Sequence, residues 1–163
     1  MNSIASGIVT NPINKYIMQK SGFNFEGHTD YLATLSKKKK NPVMMLVNSE
    51  LKTVPLTIHV PLKKVSQLIT KKLIHTKVKV AVEDLKILFD IKYPSIIVTG
   101  LNPHAGENGT IGKEEKEIIL PELKKLKKKN VNIDGPLSAD SILLNNNTSK
   151  YNCFIFLYHD KEI

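Results

Sequence analysis

Three of the five histidines stand just past apolar stretches that predict buried strands: His59, His104 and His159. Because the carboxyl ends of strands in an α/β sheet meet at one edge, we expect the three imidazoles to lie near one another. Three neutral imidazoles with an open coordination position make a catalytic site for a divalent metal such as Zn²⁺. Carboxylates that could orient the rings or transfer protons also lie nearby in the sequence, at Glu107, Asp140 and Asp160.

The loop from Gly100 to Gly112 is the richest in turn-forming residues, with four glycines, a proline and two asparagines. Such a composition places side chains rather than filling a core. His104 follows Pro103, which stiffens the backbone, and precedes Ala105-Gly106, which allows close approach. The pattern suits a metal ligand or a proton carrier. A turn with an incidental surface histidine remains the alternative.

A second candidate site lies near the start of the chain, where Gly27, His28 and Thr29 form a turn into a helix. We predict that this helix begins at about Thr29, with the threonine as its cap. The unpaired backbone N–H groups of a helix start favour an anionic group such as phosphate beside His28. An ordinary loop histidine is the alternative reading.

The hydrophobic pattern predicts an α/β protein in which helices alternate with apolar strands. Predicted strands are 4–10, 42–47, 51–60, 95–99, 132–135 and 151–158, with 42–47 and 51–60 pairing antiparallel across a turn. Predicted helices are 12–20, one from about 29, 61–74, 77–91, 113–129 and one near 138–143. Pro121 is expected to bend or restart the helix in which it lies.

Composition indicates one domain that works in the cytoplasm. The chain has 163 residues, 41% of them hydrophobic, and no apolar run long enough to span a membrane. A single cysteine, Cys153, excludes an internal disulfide, and its apolar surroundings predict a buried, unreactive thiol. The net charge of +9 comes from 24 lysines without one arginine. Since arginine is the preferred reader of guanine and phosphate, we expect no nucleic-acid partner. Since no apolar run is long enough to span a bilayer, we expect no membrane partner either.

Six short motifs in register resemble the signatures of the 4-hydroxythreonine-4-phosphate dehydrogenase family of pyridoxal phosphate biosynthesis. The resemblance covers nearly all of the chain and includes the loop that carries His104. The motifs are IVTNPINK (8–15), GHTDYLA (27–33), TIHVPL (57–62), GLNPHAGENG (100–109), GPLSAD (135–140) and YHD (158–160).

The resemblance implies a three-layer α/β fold similar to isocitrate and isopropylmalate dehydrogenases. It implies a homodimer with active sites shared between subunits, and metal ligation by His59, His104 and His159. It assigns His28 and Thr29 to substrate binding, and Asp140 and Asp160 to proton transfer or ligand orientation. The implied reaction oxidises 4-phosphohydroxy-L-threonine with NAD or NADP and a divalent ion (Zn²⁺, Mg²⁺ or Co²⁺), and the product then loses CO₂.

The resemblance also implies that the chain is the central part of a longer enzyme, a single partial catalytic region over 1–163 that is incomplete at both ends. Lys161-Glu162 stands where the family has Gln-Gly, and Ser138 replaces a proline. No residue of the chain is assigned to the nucleotide. Two alternatives therefore stay open: a related dehydrogenase of phospho-threonate or sugar acids, and an inactive remnant that lacks the NAD site.

Overall fold

The computed structural model of the chain describes residues 9–25, 27–36, 42–144 and 147–158. The chain divides into two compact units, Met1–Pro42 and Val43–Ile163, and each is described by itself. No helix among the described residues combines the length and the apolarity that crossing a bilayer requires.

The first unit contains two short helices, α1 (Lys15–Lys20) and α2 (His28–Leu35). Asn14 caps α1, because its side-chain oxygen accepts a hydrogen bond from the backbone N–H of Ile17 at 3.2 Å. Neither helix has a buried residue, and the clustered side chains here are the aromatic rings of Phe23, Phe25 and Tyr31, with centroids 5.2–5.4 Å apart. The predicted strand over 4–10 lies almost wholly outside the described residues.

A five-stranded sheet organises the second unit. Its strands are β1 (Leu46–Val47), β2 (Lys52–Pro55), β3 (Ser95–Thr99), β4 (Asn132–Leu137) and β5 (Cys153–Phe156). They lie in the order β1-β2-β5-β3-β4. The β1–β2 pair is antiparallel, as the sequence predicts, and the other three pairs are parallel. The mixed α/β architecture predicted from the sequence is therefore confirmed.

Alternate residues of the strands divide between two apolar layers. Ile96, Val98 and Ile155 join the larger core, which α3 (Leu62–Leu68), α4 (Lys71–Leu88) and α5 (Leu120–Lys128) complete. The opposite alternation puts Ile97, Phe154 and Phe156 in a smaller cluster with Tyr151 and with Ile142 of α6 (Ala139–Leu144). A sheet buried on both faces explains why these strands read as continuous apolar runs.

The boundary between α3 and α4 differs from the prediction. The sequence pattern places the break near residues 75–76, but α3 ends at Leu68 and α4 begins at Lys71. Thr70 caps α4, because its hydroxyl oxygen accepts a hydrogen bond from the N–H of Leu73 at 3.1 Å. His75 therefore lies within α4, where its Nδ1 is 2.7 Å from Oε1 of Glu122 on α5.

The long helix predicted over 113–129 is divided as Pro121 suggests. A π-helical turn, Glu115–Ile119, comes first, and α5 then begins at Leu120 with Pro121 in its first turn, where no intrahelical N–H is needed. π-helical turns inside helices frequently occur at functional sites. This one places the carboxyl group of Glu115 against the loop that follows β3.

The hydroxyl groups of two buried threonines allow a matched test of how hydrogen bonding of a buried hydroxyl affects stability. Thr99 Oγ1 is buried at the end of β3 with no hydrogen-bond partner among the described residues, whereas Thr57 Oγ1 donates to the carbonyl of Leu157 at 2.9 Å. A buried polar group without a partner costs about 1–3 kcal/mol. We expect Thr99→Val to leave the free energy of unfolding equal or higher, and Thr57→Val to lower it by about 1 kcal/mol or more. Urea denaturation measures both, and a larger loss for Thr99→Val would contradict the assignment.

Cys153 is fully buried on β5, and burial raises the pKa of its thiol to about 12. The neutral thiol favours the folded state fully below the thiol pKa of the unfolded chain, about 8.5, and this contribution is lost as the pH rises toward 12. We expect iodoacetamide at pH 8 to alkylate the thiol only as fast as the sheet opens. Rapid labelling of the folded protein, at the rate of the urea-unfolded chain, would be the contrary result.

Candidate functional site

The parallel strands deliver their carboxyl ends to one edge of the sheet. Because β2, β5, β3 and β4 are neighbours and run in the same direction, their last residues share that edge: Pro55, Phe156, Thr99 and Leu137. In open α/β sheets this edge is where ligands bind. Each of the segments that leave it carries a residue singled out in the sequence.

Two of the three predicted metal ligands are described. His59, after β2, and His104, after β3, are both exposed, and both have positive backbone φ angles, 55° and 50°. Asp140 lies in the first turn of α6, after β4, and is also exposed. His159 and Asp160, which follow β5, are outside the described residues. Across the part of the chain that is described, no three His, Cys, Asp or Glu side chains are grouped to hold a metal, so the predicted three-histidine set stays a prediction.

The backbone around His104 forms a left-handed turn within the segment Pro103–Gly109. Five consecutive residues have φ between 41° and 77°: His104, Ala105, Gly106, Glu107 and Asn108. Four of them carry a Cβ atom, which makes this conformation unfavourable by about 1–2 kcal/mol per residue. Strain of this kind persists only where surrounding contacts over-determine it, and it is concentrated at functional sites.

The side chain of Glu115 binds the segment that leads into this turn. Its Oε1 accepts hydrogen bonds from the backbone N–H groups of Leu101 and Asn102, at 2.8 and 2.7 Å. Its Oε2 accepts from Nδ2 of Asn102 at 2.9 Å, and the same amide donates to Oε2 of Glu114 at 2.9 Å. Glu115 is only 5% exposed. The backbone N–H of Glu114 itself, with the Asn102 amide second, holds the pKa of Glu114 below its usual value.

A cavity of about 350 Å³ lies beside the turn, within the size range of small-molecule sites. Lys116 contributes a cation to its wall, and the loop contributes the polar side chain of Asn108. The cavity can therefore hold a small polar molecule next to the His104 segment. Its lining residues are Ala105, Asn108, Gly109, Glu115, Lys116, Leu120, Gly135 and Pro136.

The predicted phosphate site in the first unit lies at the start of α2. The helix begins at His28, one residue earlier than predicted, and Gly27 occupies the cap position without a side-chain hydrogen bond. The prediction that Thr29 caps the helix is therefore wrong, because Thr29 is already inside the first turn. The Thr29 side chain is exposed beside the first N–H groups of the helix, an arrangement that favours an anion.

Two buried carboxylates were missed by the sequence reasoning: Glu115 and Glu122. Both fall on the apolar stripe of the helical segment, in register with Ile119 and Leu126. A charged residue at an inward-facing position is the signal that could have found them, since a carboxylate is buried only with partners. Glu122 has His75 as its partner, and Glu115 has the loop.

Comparison with known proteins gives a consistent result over the whole chain. The family described as "Pyridoxal phosphate biosynthetic protein PdxA" matches residues 1–163. The 4-hydroxythreonine-4-phosphate dehydrogenase of Bradyrhizobium diazoefficiens is 43% identical over 162 residues, covering 98% of this chain and 47% of that protein. The enzyme of the same name from Zymomonas mobilis is 42% identical over 160 residues, with 98% and 48% covered.

A solved structure agrees with these matches. The crystal structure of 4-hydroxythreonine-4-phosphate dehydrogenase from Klebsiella pneumoniae superimposes with a TM-score of 0.83 at 32% identity, over 93% of this chain and 45% of that one. The chain therefore spans about half the length of the curated relatives and of the solved structure that it matches.

Two loop glycines test how tightly Glu115 contacts the turn. Both Gly106 (φ 77°) and Gly109 (φ 101°) have positive φ, and the backbone cost of alanine is at least as large at Gly109. A Cβ atom on Gly106 would lie 2.7 Å from Oε2 of Glu115, whereas on Gly109 its nearest neighbour is Cδ of Lys116 at 3.7 Å. We expect Gly106→Ala to lower the free energy of unfolding by about 1–3 kcal/mol more than Gly109→Ala. Equal losses in urea denaturation would mean that the carboxylate does not press on the turn.

Proposed function

Since the chain belongs to the pyridoxal phosphate biosynthetic protein PdxA family, we propose that it carries the metal-binding part of a 4-hydroxythreonine-4-phosphate dehydrogenase. The proposed reaction is the NAD- or NADP-dependent oxidation of the secondary alcohol of 4-phosphohydroxy-L-threonine, followed by loss of CO₂. We also propose the finer assignment of the fold, to the three-layer class of isocitrate and isopropylmalate dehydrogenases.

One observation carries the proposal: β5 lies between β2 and β3 and is parallel to both. The segments that follow these strands contain His59, His159 and His104, in that order along the sheet, so the topology brings all three ligand-bearing segments to one edge. The donor chemistry fits a divalent ion, because neutral imidazoles suit Zn²⁺ and Co²⁺ and two of the three rings are exposed. A metal held there would supply a Lewis acid for the substrate oxygen during oxidation and decarboxylation.

The remaining residues are proposed to bind the substrate and to move protons. We propose that His28 and Thr29 bind the phosphate group of the substrate, because they lie at the start of α2 and the N–H groups of a helix start favour an anion. Asp140, exposed in the first turn of α6, is proposed to exchange a proton with the substrate, together with Asp160. We propose a cytoplasmic homodimer whose active sites take ligands from both subunits.

Metal binding is tested with single substitutions of the three proposed ligands. We expect Co²⁺ to bind the full chain, and His59→Ala, His104→Ala and His159→Ala each to weaken binding at least tenfold in calorimetry, because each removes one ligand. His75→Gln is the matched control, since glutamine keeps a donor for Glu122 outside the proposed ligand set. Unchanged Co²⁺ affinity in all three alanine variants would contradict the assignment of the three histidines as ligands.

Reduction of NAD, followed by absorbance with and without Co²⁺, tests the oxidation step with 4-phosphohydroxy-L-threonine and with phospho-threonate. Turnover of the first substrate supports the proposal, and a preference for the second identifies the related sugar-acid dehydrogenase. Tight Co²⁺ binding without NAD reduction identifies a chain that has the metal site but lacks the nucleotide site.

A further inference from the structure

The left-handed turn around His104 does not have an obvious source of stability within itself. Its internal backbone hydrogen bonds lie at the long end of the usual range, such as those from Ala105 N–H to the Asn102 carbonyl and from Ile111 N–H to the Gly106 carbonyl, both 3.2 Å. The Thr110 hydroxyl adds a hydrogen bond of 2.9 Å to the Glu107 carbonyl. Since His104, Ala105 and Glu107 all carry a Cβ atom in the left-handed region, contacts from outside the turn are expected to contribute to its stability.

The carboxylate of Glu115 lies close to two parts of the loop. It binds the entry to the turn, through the N–H groups of Leu101 and Asn102, and it lies against the middle of the turn at Gly106. Among the described residues no lysine or histidine forms an ion pair with it. Within the described parts of the chain, the partners of this carboxylate are N–H groups of the loop, and hydrogen bonds to a carboxylate are charge-assisted and strong.

We propose that Glu115 is the positioning residue for His104: the charge of its buried carboxylate fixes the left-handed turn that presents the imidazole. This inference rests on the proposed function, in which His104 is a metal ligand. Glu115 is not one of the proposed metal ligands, and in this proposal it acts on His104 through the backbone of the loop. Since outer partners of metal ligands typically contribute 10–100-fold in affinity, its loss is measurable.

The chain offers a substitution that separates charge from volume. In Glu115→Gln, one oxygen still accepts from Leu101 and Asn102, but the new NH₂ group faces the Nδ2 donor of Asn102. Glu117→Gln is the matched control, because Glu117 is exposed in the same π-helical turn and undergoes the same chemical change. Glu115→Asp keeps the charge but shortens the reach, and it serves as the second variant if Glu115→Gln does not fold.

Two measurements on the full chain test the inference. Hydrogen exchange of the metal-free protein is expected to be at least tenfold faster at the amides of Leu101, Asn102 and Ile111 in Glu115→Gln than in Glu117→Gln, with unchanged exchange in α4. Titration with Co²⁺ alone, followed by its visible absorption, is expected to give a Kd 10–100-fold higher and an altered band shape in Glu115→Gln, with Glu117→Gln like the unmodified chain.

The outcomes distinguish this inference from the proposed function. If the unmodified chain binds no Co²⁺, the proposed function fails, and the exchange experiment still decides whether Glu115 fixes the turn. If the unmodified chain binds Co²⁺ and Glu115→Gln binds it with the same Kd and spectrum, positioning is overturned. Equal exchange rates in Glu115→Gln and Glu117→Gln overturn it as well.

Discussion

The parallel pairing of β5 with both β2 and β3 is the constraint on which the rest of the structure depends. All four residues of β5 are buried, and its two faces contribute to both apolar layers. Without β5 the antiparallel pair β1–β2 and the parallel pair β3–β4 would be separate pieces. With β5 in place, four carboxyl ends lie side by side, and every candidate ligand of the second unit follows one of them.

The loop after β3 illustrates how such an edge becomes a site. Left-handed conformations of His104, Ala105 and Glu107 together cost about 3–6 kcal/mol, whereas asparagine, the type at 108, adopts this region more readily. Three hydrogen bonds to a charged carboxylate contribute about 5–9 kcal/mol, and Glu115 makes three. The two sums are of the same order, which supports Glu115 as a stabilising partner of the loop that carries the exposed His104 imidazole.

The periodicity of the sequence predicts the elements well where local chemistry decides them. The run Ser95–Thr99 and the antiparallel β1–β2 pair are confirmed, and so is the restart of a helix at Pro121, because β-branching, turn residues and a missing N–H act locally. The predicted helix break near His75 is wrong, because two polar residues in the middle of α4 resemble a loop in the sequence. In the fold, Ile74 and Val78 are buried on one side of α4, and this packing overrides the local pattern.

The candidate site is less predictable because its contacts join distant parts of the sequence. The residue types of Ala105 and Glu107 do not predict a left-handed turn, and the partner at Glu115 lies outside the loop in the sequence. The positions of His59 and His104 after strands could be predicted from the sequence. The spatial order of β2, β5 and β3 could not, since many strand orders satisfy the same alternation of helices and strands.

The sheet order also has a consequence for synthesis of the chain on the ribosome. The hydroxyl of Thr57 bonds to the carbonyl of Leu157, one hundred residues later, and β5 pairs with strands that emerge long before it. A nascent chain that has emerged only through β4 therefore presents two open strand edges with apolar faces, and such edges pair readily with other chains. These edges of β2 and β3 are covered only when β5 has emerged and paired with both strands.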